Sequence, residues 1–223
     1  VIVSNAIDTQ AAPAIVSGAG GTSFVVWEDA RNWAVSGVDL YGQNLSAGGG
    51  PLWAVNGVVL VGAVNDQTSA SVIANPSGSV LMSWTDARFG IPDIWAGSFF
   101  SSGTAQWTVS VCAAANSQVG PLVVSDGSGG MVAAWVDYRA DGSTADAYAA
   151  RITAGGTLPW TANGVALCTA ADDQVLYDAC SDGAGGMIAA WYDLGGPTMD
   201  VGAQRVNANG SVAWGSNGAL VSG

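Results

Sequence analysis

The sequence contains no lysine, no histidine and a single glutamate, Glu28, and charged residues make up only 10% of it. An ordinary soluble protein has roughly 25%. Without histidine and lysine, the common proton shuttles, Schiff-base chemistry and imidazole-held metals are absent. The five arginines are outnumbered by 17 acidic residues, and the net charge of −12 repels phosphate backbones and anionic lipid. We therefore expect no nucleic-acid partner.

Cysteine is also scarce, and long apolar runs are missing. Runs such as residues 57–62 have the length of a strand, so we expect no membrane insertion. Of the three cysteines, Cys112 and Cys168 occupy equivalent places in a repeat, and Cys180 lies in the next predicted inner strand. A Cys168–Cys180 disulfide requires Cα atoms within about 7 Å. The favoured alternative is a free buried thiol.

What the sequence does contain is one unit repeated four times. Each copy has an apolar run ending in Trp-x-Asp, with its tryptophan at Trp27, Trp84, Trp135 and Trp191. A glutamine lies 17 residues before each of these, at Gln10, Gln67, Gln118 and Gln174. A second aspartate follows at Asp39, Asp93, Asp146 and Asp200, and 14 residues beyond it lies a second tryptophan, at Trp53, Trp107, Trp160 and Trp214. Constant spacing over a unit of this size indicates a propeller blade or a solenoid unit.

Each unit predicts four short strands and no helix. In the third unit, apolar runs over residues 122–125, 131–137, 146–152 and 165–168 are separated by glycine-containing turns. Glycine supplies the positive φ that tight hairpin turns need. The sequence therefore predicts an all-β β-propeller of four-stranded blades as a single domain over residues 1–223, with repeats at about 8–64, 65–115, 116–171 and 172–223. The four repeats are either a complete ring or part of a larger ring or array.

Residues 1–7 predict an extra terminal strand. The run Val1-Ile-Val-Ser4 aligns with Val165-Ala-Leu-Cys168, the fourth strand of a repeat, and residues 217–221 supply that strand once more. One copy is then surplus at an edge, belongs to a longer array, or pairs with another molecule. An unpaired apolar edge invites strand addition. Self-association through a terminal strand is therefore one expectation.

Two segments carry a resemblance to a known group of proteins. Residues 125–139 contain Ser-Asp-Gly-x-Gly-Gly and Trp-x-Asp-x-Arg, and residues 160–168 begin with Trp-x-x-Asn-Gly. These patterns resemble the repeats of large secreted bacterial β-propeller proteins, and the Ser-Asp-Gly turn is distantly similar to the Asp-box hairpin of sialidase-like propellers. The resemblance implies a bacterial protein that is extracellular, secreted or at the cell surface, and it implies no reaction.

The eight repeat-spaced tryptophans predict core packing between blades, because burying one removes roughly 150–250 Å² from water. Trp33 and Trp95 fall outside the repeat pattern. Trp33 lies in the link between the second and third strands, where the repeats differ in length. Such links gather on one face of a propeller, and loops of this kind carry binding residues. On that face we expect ligand contacts from Trp33, Arg31, Phe89, Tyr138 and Asp141.

Three repeats place an arginine after the Trp-x-Asp pattern, at Arg31, Arg88 and Arg139. Repeat-equivalent residues lie around a ring, so the pattern favours a bidentate Arg–Asp tie within each blade over a shared anion clamp. From the sequence we expect Arg88→Ala to cost about 1 kcal/mol or less, as for a partly exposed ion pair.

The remaining carboxylates leave two functional interpretations. Asp137, Asp141 and Asp146 surround one loop and are a calcium candidate, although their spacing does not match a twelve-residue calcium loop; no other cofactor is expected. Because the clustered aspartates recur with the repeat, the sequence predicts a non-catalytic extracellular propeller, not an enzyme, that binds a protein or glycan as a binding, adhesion or assembly module. The alternative is a secreted carbohydrate-active hydrolase, which would hold two aspartates about 5–10 Å apart in one pocket.

Overall fold

The computed structural model describes residues 1–195 and 198–222, and these form four antiparallel four-stranded sheets. Blade 1 contains β1 (Gln10–Ser17), β2 (Ser23–Asp29), β3 (Asp39–Leu45) and β4 (Val58–Val61). Blade 2 contains β5 (Gln67–Ala74), β6 (Val80–Asp86), β7 (Asp93–Phe99) and β8 (Ala105–Cys112). Blade 3 contains β9 (Gln118–Ser125), β10 (Met131–Asp137), β11 (Asp146–Ile152) and β12 (Val165–Cys168). Blade 4 contains β13 (Gln174–Ser181), β14 (Met187–Asp193), β15 (Asp200–Val206) and β16 (Ala219–Ser222).

The repeated aspartates mark the register between the second and third strands of each blade. In every blade the aspartate that ends the second strand pairs directly with the aspartate that begins the third: Asp29 with Asp39, Asp86 with Asp93, Asp137 with Asp146, and Asp193 with Asp200. The links of variable length lie beyond these pairs, outside the sheets. The predicted all-β propeller of four-stranded blades is therefore confirmed.

The hydrophobic core consists of three layers, each between two successive blades. Phe24, Val26 and Leu40 of blade 1 pack with Met82, Trp84 and Phe99 of blade 2. The layer between blades 2 and 3 includes Leu81, Ile94, Met131, Ala133 and Trp135. The layer between blades 3 and 4 includes Val132, Ala134, Leu167, Met187 and Trp191. Because side chains alternate along a strand, each blade contributes one face to each neighbour.

The two sets of repeat tryptophans differ in burial. Trp27, Trp84, Trp135 and Trp191 are buried, as predicted. The second set was expected to be buried as well, and this is wrong: Trp53, Trp107 and Trp160 are only half-buried and Trp214 is exposed. Trp95 does belong to the repeat, since it pairs with Trp84 as Tyr41 pairs with Trp27 and Tyr148 with Trp135.

The innermost strands line up around the propeller axis, with β1 against β5, β5 against β9, and β9 against β13. No comparable packing joins β13 back to β1 in the described part of the chain, and the blades form an open arc. Residues 1–7 do not form the expected strand. The short helix α1 (Trp33–Ser36) occupies the link between β2 and β3. Among the described residues, no helix has the length and apolarity needed to cross a membrane.

Candidate functional site

In the first three blades, one arginine, two aspartates and two aromatic rings form the same arrangement. In blade 3, Arg139 Nε and Nη2 donate to the two carboxylate oxygens of Asp137 at 2.9 and 2.6 Å. The guanidinium carbon lies 3.8 Å from the centre of the Tyr148 ring, and the Trp135 indole N–H donates to Asp137 Oδ2 at 2.8 Å. Arg31 and Arg88 repeat these contacts on Asp29 and Asp86. The bidentate Arg–Asp tie is therefore confirmed.

These ties are buried, which the sequence did not indicate. The side chains of Asp29, Asp86 and Asp137 are fully buried, and their arginines are only 18–23% exposed. Burial alone would raise the pKa of Asp29, but hydrogen bonds from Arg31 and Trp27 bring it below the usual value. Because the carboxylate of Asp86 is fully buried, we now expect Arg88→Ala to cost more than the ~1 kcal/mol expected from the sequence.

In blades 2 and 3 the second aspartate has a raised pKa. Burial, followed by the charge of Asp86, raises the pKa of Asp93. Burial, followed by the charges of Asp137 and Asp141, raises that of Asp146. These carboxylates recur at one register position and line none of the larger clefts of the described residues. They are part of the blade framework, not a paired catalytic site.

A cleft of about 640 Å³ lies at the end of blade 1 where β1 begins and β2 ends. It extends from residues preceding the innermost strand to the link that carries α1. The exposed indole of Trp33, 61% accessible, forms part of its wall. Its lining residues are Asp8, Thr9, Ala11, Glu28, Ala30, Arg31, Asn32, Trp33, Ala34, Val35 and Val38. The cleft therefore combines one aromatic platform with two carboxylates, Asp8 and Glu28.

Glu28 is positioned by a contact with the neighbouring blade. Its Oε1 accepts a hydrogen bond from the backbone N–H of Ser69 at 2.8 Å. Ser69 lies at a bulge in β5 and has a φ of 54°, so its N–H points out of the regular ladder. In the next blade, the hydroxyl of Thr85 accepts the N–H of Gly120 in the same way. Glu28 is thus held at one oxygen, and this half-buried residue lines the cleft.

Asp8 occupies a turn position that asparagine fills in blades 2 and 3 and that Asp172, with a φ of 66°, fills in blade 4. Asp8, Asn65 and Asn116 all have a left-handed backbone, with φ of 63°, 64° and 59°, a conformation that Asp and Asn tolerate well. The Asn65 amide donates to the carbonyl oxygen of Ala87 at 3.1 Å. An ionised carboxylate cannot donate. Asp8 therefore cannot repeat that bond, and it borders the cleft beside Ala30.

The structure places the residues expected to contact a ligand on three different blades. Trp33 and Arg31 both line the cleft, while Phe89, 77% exposed, lies on the link of blade 2. Tyr138 and Asp141 belong to the link of blade 3. Glu28 and Asp8 were not singled out as site residues, although Glu28 is the one glutamate of the chain.

The calcium candidate is wrong. Hydrogen bonds from Thr144 and then Ser143 hold the pKa of Asp141 well below its usual range, because its carboxylate accepts hydrogen bonds within its own loop. Asp137 is committed to Arg139. No cluster of three potential metal ligands forms within residues 1–195 and 198–222. The Cys168–Cys180 disulfide is also not formed: Cys168 is a free buried thiol and Cys180 is free and exposed.

Comparison with known proteins gives structural neighbours only. No protein-family model matches the chain, and no curated protein matches it. An ulvan lyase of a new polysaccharide lyase family aligns with a TM-score of 0.61 at 11% identity, over 94% of this chain and 57% of its own. A glycoside hydrolase structure from Bacteroides ovatus gives 0.54 at 10%, over 90% and 70%. A GH43 endo-arabinanase from Bacillus licheniformis gives 0.51 at 14%, over 92% and 77%.

At these identities the similarity shows the fold. It nevertheless contradicts the prediction of a non-catalytic binding, adhesion or assembly module that is not an enzyme. The three neighbours are named as a polysaccharide lyase and as glycoside hydrolases. That prediction relied on absent histidine and lysine and on the repetition of the aspartates. The repetition of the aspartates does not bear on Glu28, which occurs in blade 1 alone, whereas Asp8 has a counterpart at Asp172 in blade 4.

Proposed function

We propose that this protein is a carbohydrate-active hydrolase that binds a polysaccharide against Trp33 and cleaves it with Asp8 and Glu28. The observation that carries the proposal is the cleft itself, whose lining includes an exposed indole and two acidic residues. The named activities of the structural neighbours support the same class.

The chemistry of glycoside hydrolysis matches the residues that are present. The reaction uses two carboxyl groups, one that protonates the leaving oxygen and one that acts as a base or nucleophile, and it needs neither histidine nor lysine. Trp33 offers a flat apolar surface against which the C–H face of a sugar ring stacks. A volume of about 640 Å³ lies within the range of small-molecule sites.

Charge favours a neutral polysaccharide over a polyanionic one. The net charge of −12 repels polyuronates and sulfated chains at long range. Within the cleft, the guanidinium of Arg31 is already occupied by both oxygens of Asp29 and by the carbonyl of Asn56. It is therefore not free to pair with a substrate carboxylate. An extracellular location, where such polysaccharides are met, is part of this proposal.

The test is release of reducing ends from a panel of neutral and acidic polysaccharides. We expect Glu28→Gln and Asp8→Asn to lower kcat by about 100-fold or more, the usual share of general acid–base catalysis. The Gln amide keeps an oxygen for the Ser69 N–H, so folding is retained. Trp33→Ala is expected to raise KM. Matched controls are Asp141→Asn and Phe89→Ala, which lie on other blades and should change neither constant. No release from any polysaccharide, or release indifferent to both carboxylate variants, overturns the proposal.

A further inference from the structure

A second cleft, of about 480 Å³, adjoins the first one on the side of blade 2. Trp33 and Val35 of α1 line both clefts, so they form the wall that the two share. The rest of the second lining includes residues 64–66, which connect β4 to β5, and Ala87 and Gly90 of the link between β6 and β7. The second cleft therefore lies between blades 1 and 2 and meets the first along α1.

Backbone contacts attach the link that carries Trp33 to this second cleft. The N–H of Gly37 donates to the carbonyl of Trp33 at 3.1 Å, and the N–H of Val38 donates to Asp66 Oδ1 at 2.9 Å. Gly37 has a φ of 86°, and an added Cβ would lie 2.5 Å from the same oxygen of Asp66. The link thus passes directly against the Asp66 carboxylate, and the shared wall has a defined position relative to it.

The lining of the second cleft is mostly apolar and exposed. Trp33, Val35 and Val64 are 61%, 86% and 60% accessible. Asp66 is the one charged residue among the described residues that line the cleft. A polyanion would be repelled by this carboxylate and would find no arginine in that lining to offset it. The cleft therefore suits a neutral ligand with apolar faces.

The polar groups of the second cleft are hydrogen-bond acceptors. Oδ1 of Asp66 is occupied by the Val38 N–H, whereas no donor to Oδ2 lies within the described part of the chain. The Asn65 amide donates to the carbonyl of Ala87 at 3.1 Å, which leaves its side-chain oxygen able to accept. Sugar hydroxyls are donors, and the C–H face of a sugar ring stacks on apolar groups. Apolar walls with a few placed acceptors therefore match a neutral sugar.

We propose that the second cleft is a further subsite for a neutral polysaccharide, so that a sugar chain held against Trp33 in the first cleft continues along Val35 to Asp66. The class of ligand rests on the proposed function. Because the two clefts share one wall, a chain stacked on the indole leaves the first cleft onto the lining of the second. A short oligosaccharide occupies one cleft alone, whereas a longer one gains the contacts of both. Affinity therefore increases with chain length.

Isothermal titration calorimetry with oligosaccharides of arabinose, xylose and glucose, each in increasing length, tests the proposal. The titrations use the Glu28→Gln variant, so that cleavage does not shorten the ligand. We expect affinity to rise at least about tenfold from the shortest oligosaccharide that binds to the longest, as for one charge-assisted hydrogen bond with added apolar contact. Adding Asp66→Asn or Val64→Asp should remove most of this rise and leave the shortest ligand unaffected. Asparagine keeps an oxygen for the Val38 N–H, so the local fold is retained.

Blades 3 and 4 offer matched control variants. Asp173 accepts the N–H of Ala145 at 2.8 Å, as Asp66 accepts that of Val38. Ala115 is exposed and stands three residues before Gln118, as Val64 stands before Gln67. Neither Asp173 nor Ala115 lines either cleft. Asp173→Asn and Ala115→Asp should therefore leave the whole length dependence unchanged.

The proposal is overturned if affinity is independent of chain length, if none of the oligosaccharides binds, or if the rise persists in both Asp66→Asn and Val64→Asp, each folded by circular dichroism. If Asp66→Asn does not fold, Val64→Asp at its exposed position decides. Failure of the proposed function gives a different result. Length-dependent binding with no release of reducing ends by the unsubstituted protein contradicts the hydrolase and retains the subsite. Release that requires Glu28, with affinity independent of length, contradicts the subsite alone.

Discussion

Removing Arg88 is expected to lower the free energy of unfolding by about 2–4 kcal/mol. Breaking a buried ion pair by deleting one partner typically costs 3–5 kcal/mol. Arg88 donates to both oxygens of Asp86 at 2.8 and 2.6 Å and stacks 3.9 Å above the Trp95 ring. Asp86 keeps two donors, the Trp84 indole at 2.7 Å and the backbone N–H of residue 88 at 3.0 Å. These two bonds account for the lower end of the range.

Equilibrium unfolding in urea measures this loss as a fall in midpoint at constant m. The free energy of unfolding of Arg88→Lys should lie between those of wild type and Arg88→Ala. Lysine keeps the positive charge but lacks the planar guanidinium that donates two hydrogen bonds to Asp86 and stacks on the Trp95 ring. Adding Asp86→Asn to Arg88→Ala should recover part of the loss, since no buried charge is then left unpaired. A cost below about 1 kcal/mol for Arg88→Ala, or a double variant as unstable as the sum of the single ones, would refute the reasoning.

Two further outcomes are expected. Burial and the charge of Asp86 raise the pKa of Asp93, so its ionised form destabilises the fold above that pKa, and the effect disappears below the unfolded value of about 3.8. Asp93→Asn should therefore raise Tm at pH 7 and change it little at pH 3; an equal gain at both would contradict this. Gly164 has a φ of 84°, and an added Cβ would lie 2.7 Å from the Ala149 carbonyl, whereas Gly127, at 71°, has open space. Urea unfolding should show Gly164→Ala to be at least about 2 kcal/mol more destabilising than Gly127→Ala.

Strand positions were predictable because the repeat records register directly. The predicted strand over residues 131–137 is β10, Met131–Asp137, and the run 146–152 is β11. The aspartates at the facing ends, Asp137 and Asp146, pair across the two strands. The spacing that stays constant is the 17 residues from the glutamine to the first tryptophan, and it corresponds to the register of the first strand on the second, in which Gln118 pairs with Asp137. A shift of one residue would move every side chain of one strand to the opposite face.

The burial and the hydrogen-bond partners of side chains between blades were less predictable, because they depend on the blade that follows. Trp160 and Trp214 have the same sequence context, yet only Trp160 finds a carbonyl, that of Ala208, in a following blade. Trp95 falls outside the sequence pattern because blades 1 and 3 have a tyrosine at this position. What the blades share there is an aromatic ring, of either kind, on which the arginine stacks. In blade 4 the arginine and the ring are both missing, and Gly202 lies against Trp191.

The candidate site follows from departures from the repeat more than from the repeat. A position that recurs in every blade serves the packing common to every blade, as the Arg–Asp ties do. Glu28 stands where the other blades have Thr85, Val136 and Tyr192, whereas Asp8 stands where blades 2 and 3 have Asn65 and Asn116 and blade 4 has Asp172. Thr85 makes the same bulge contact with a shorter side chain, so a glutamate is not needed for it. An asparagine at position 8 would suit the left-handed turn and add a donor. Glu28 therefore exceeds the structural requirement of its position, and both acids border the cleft beside Trp33.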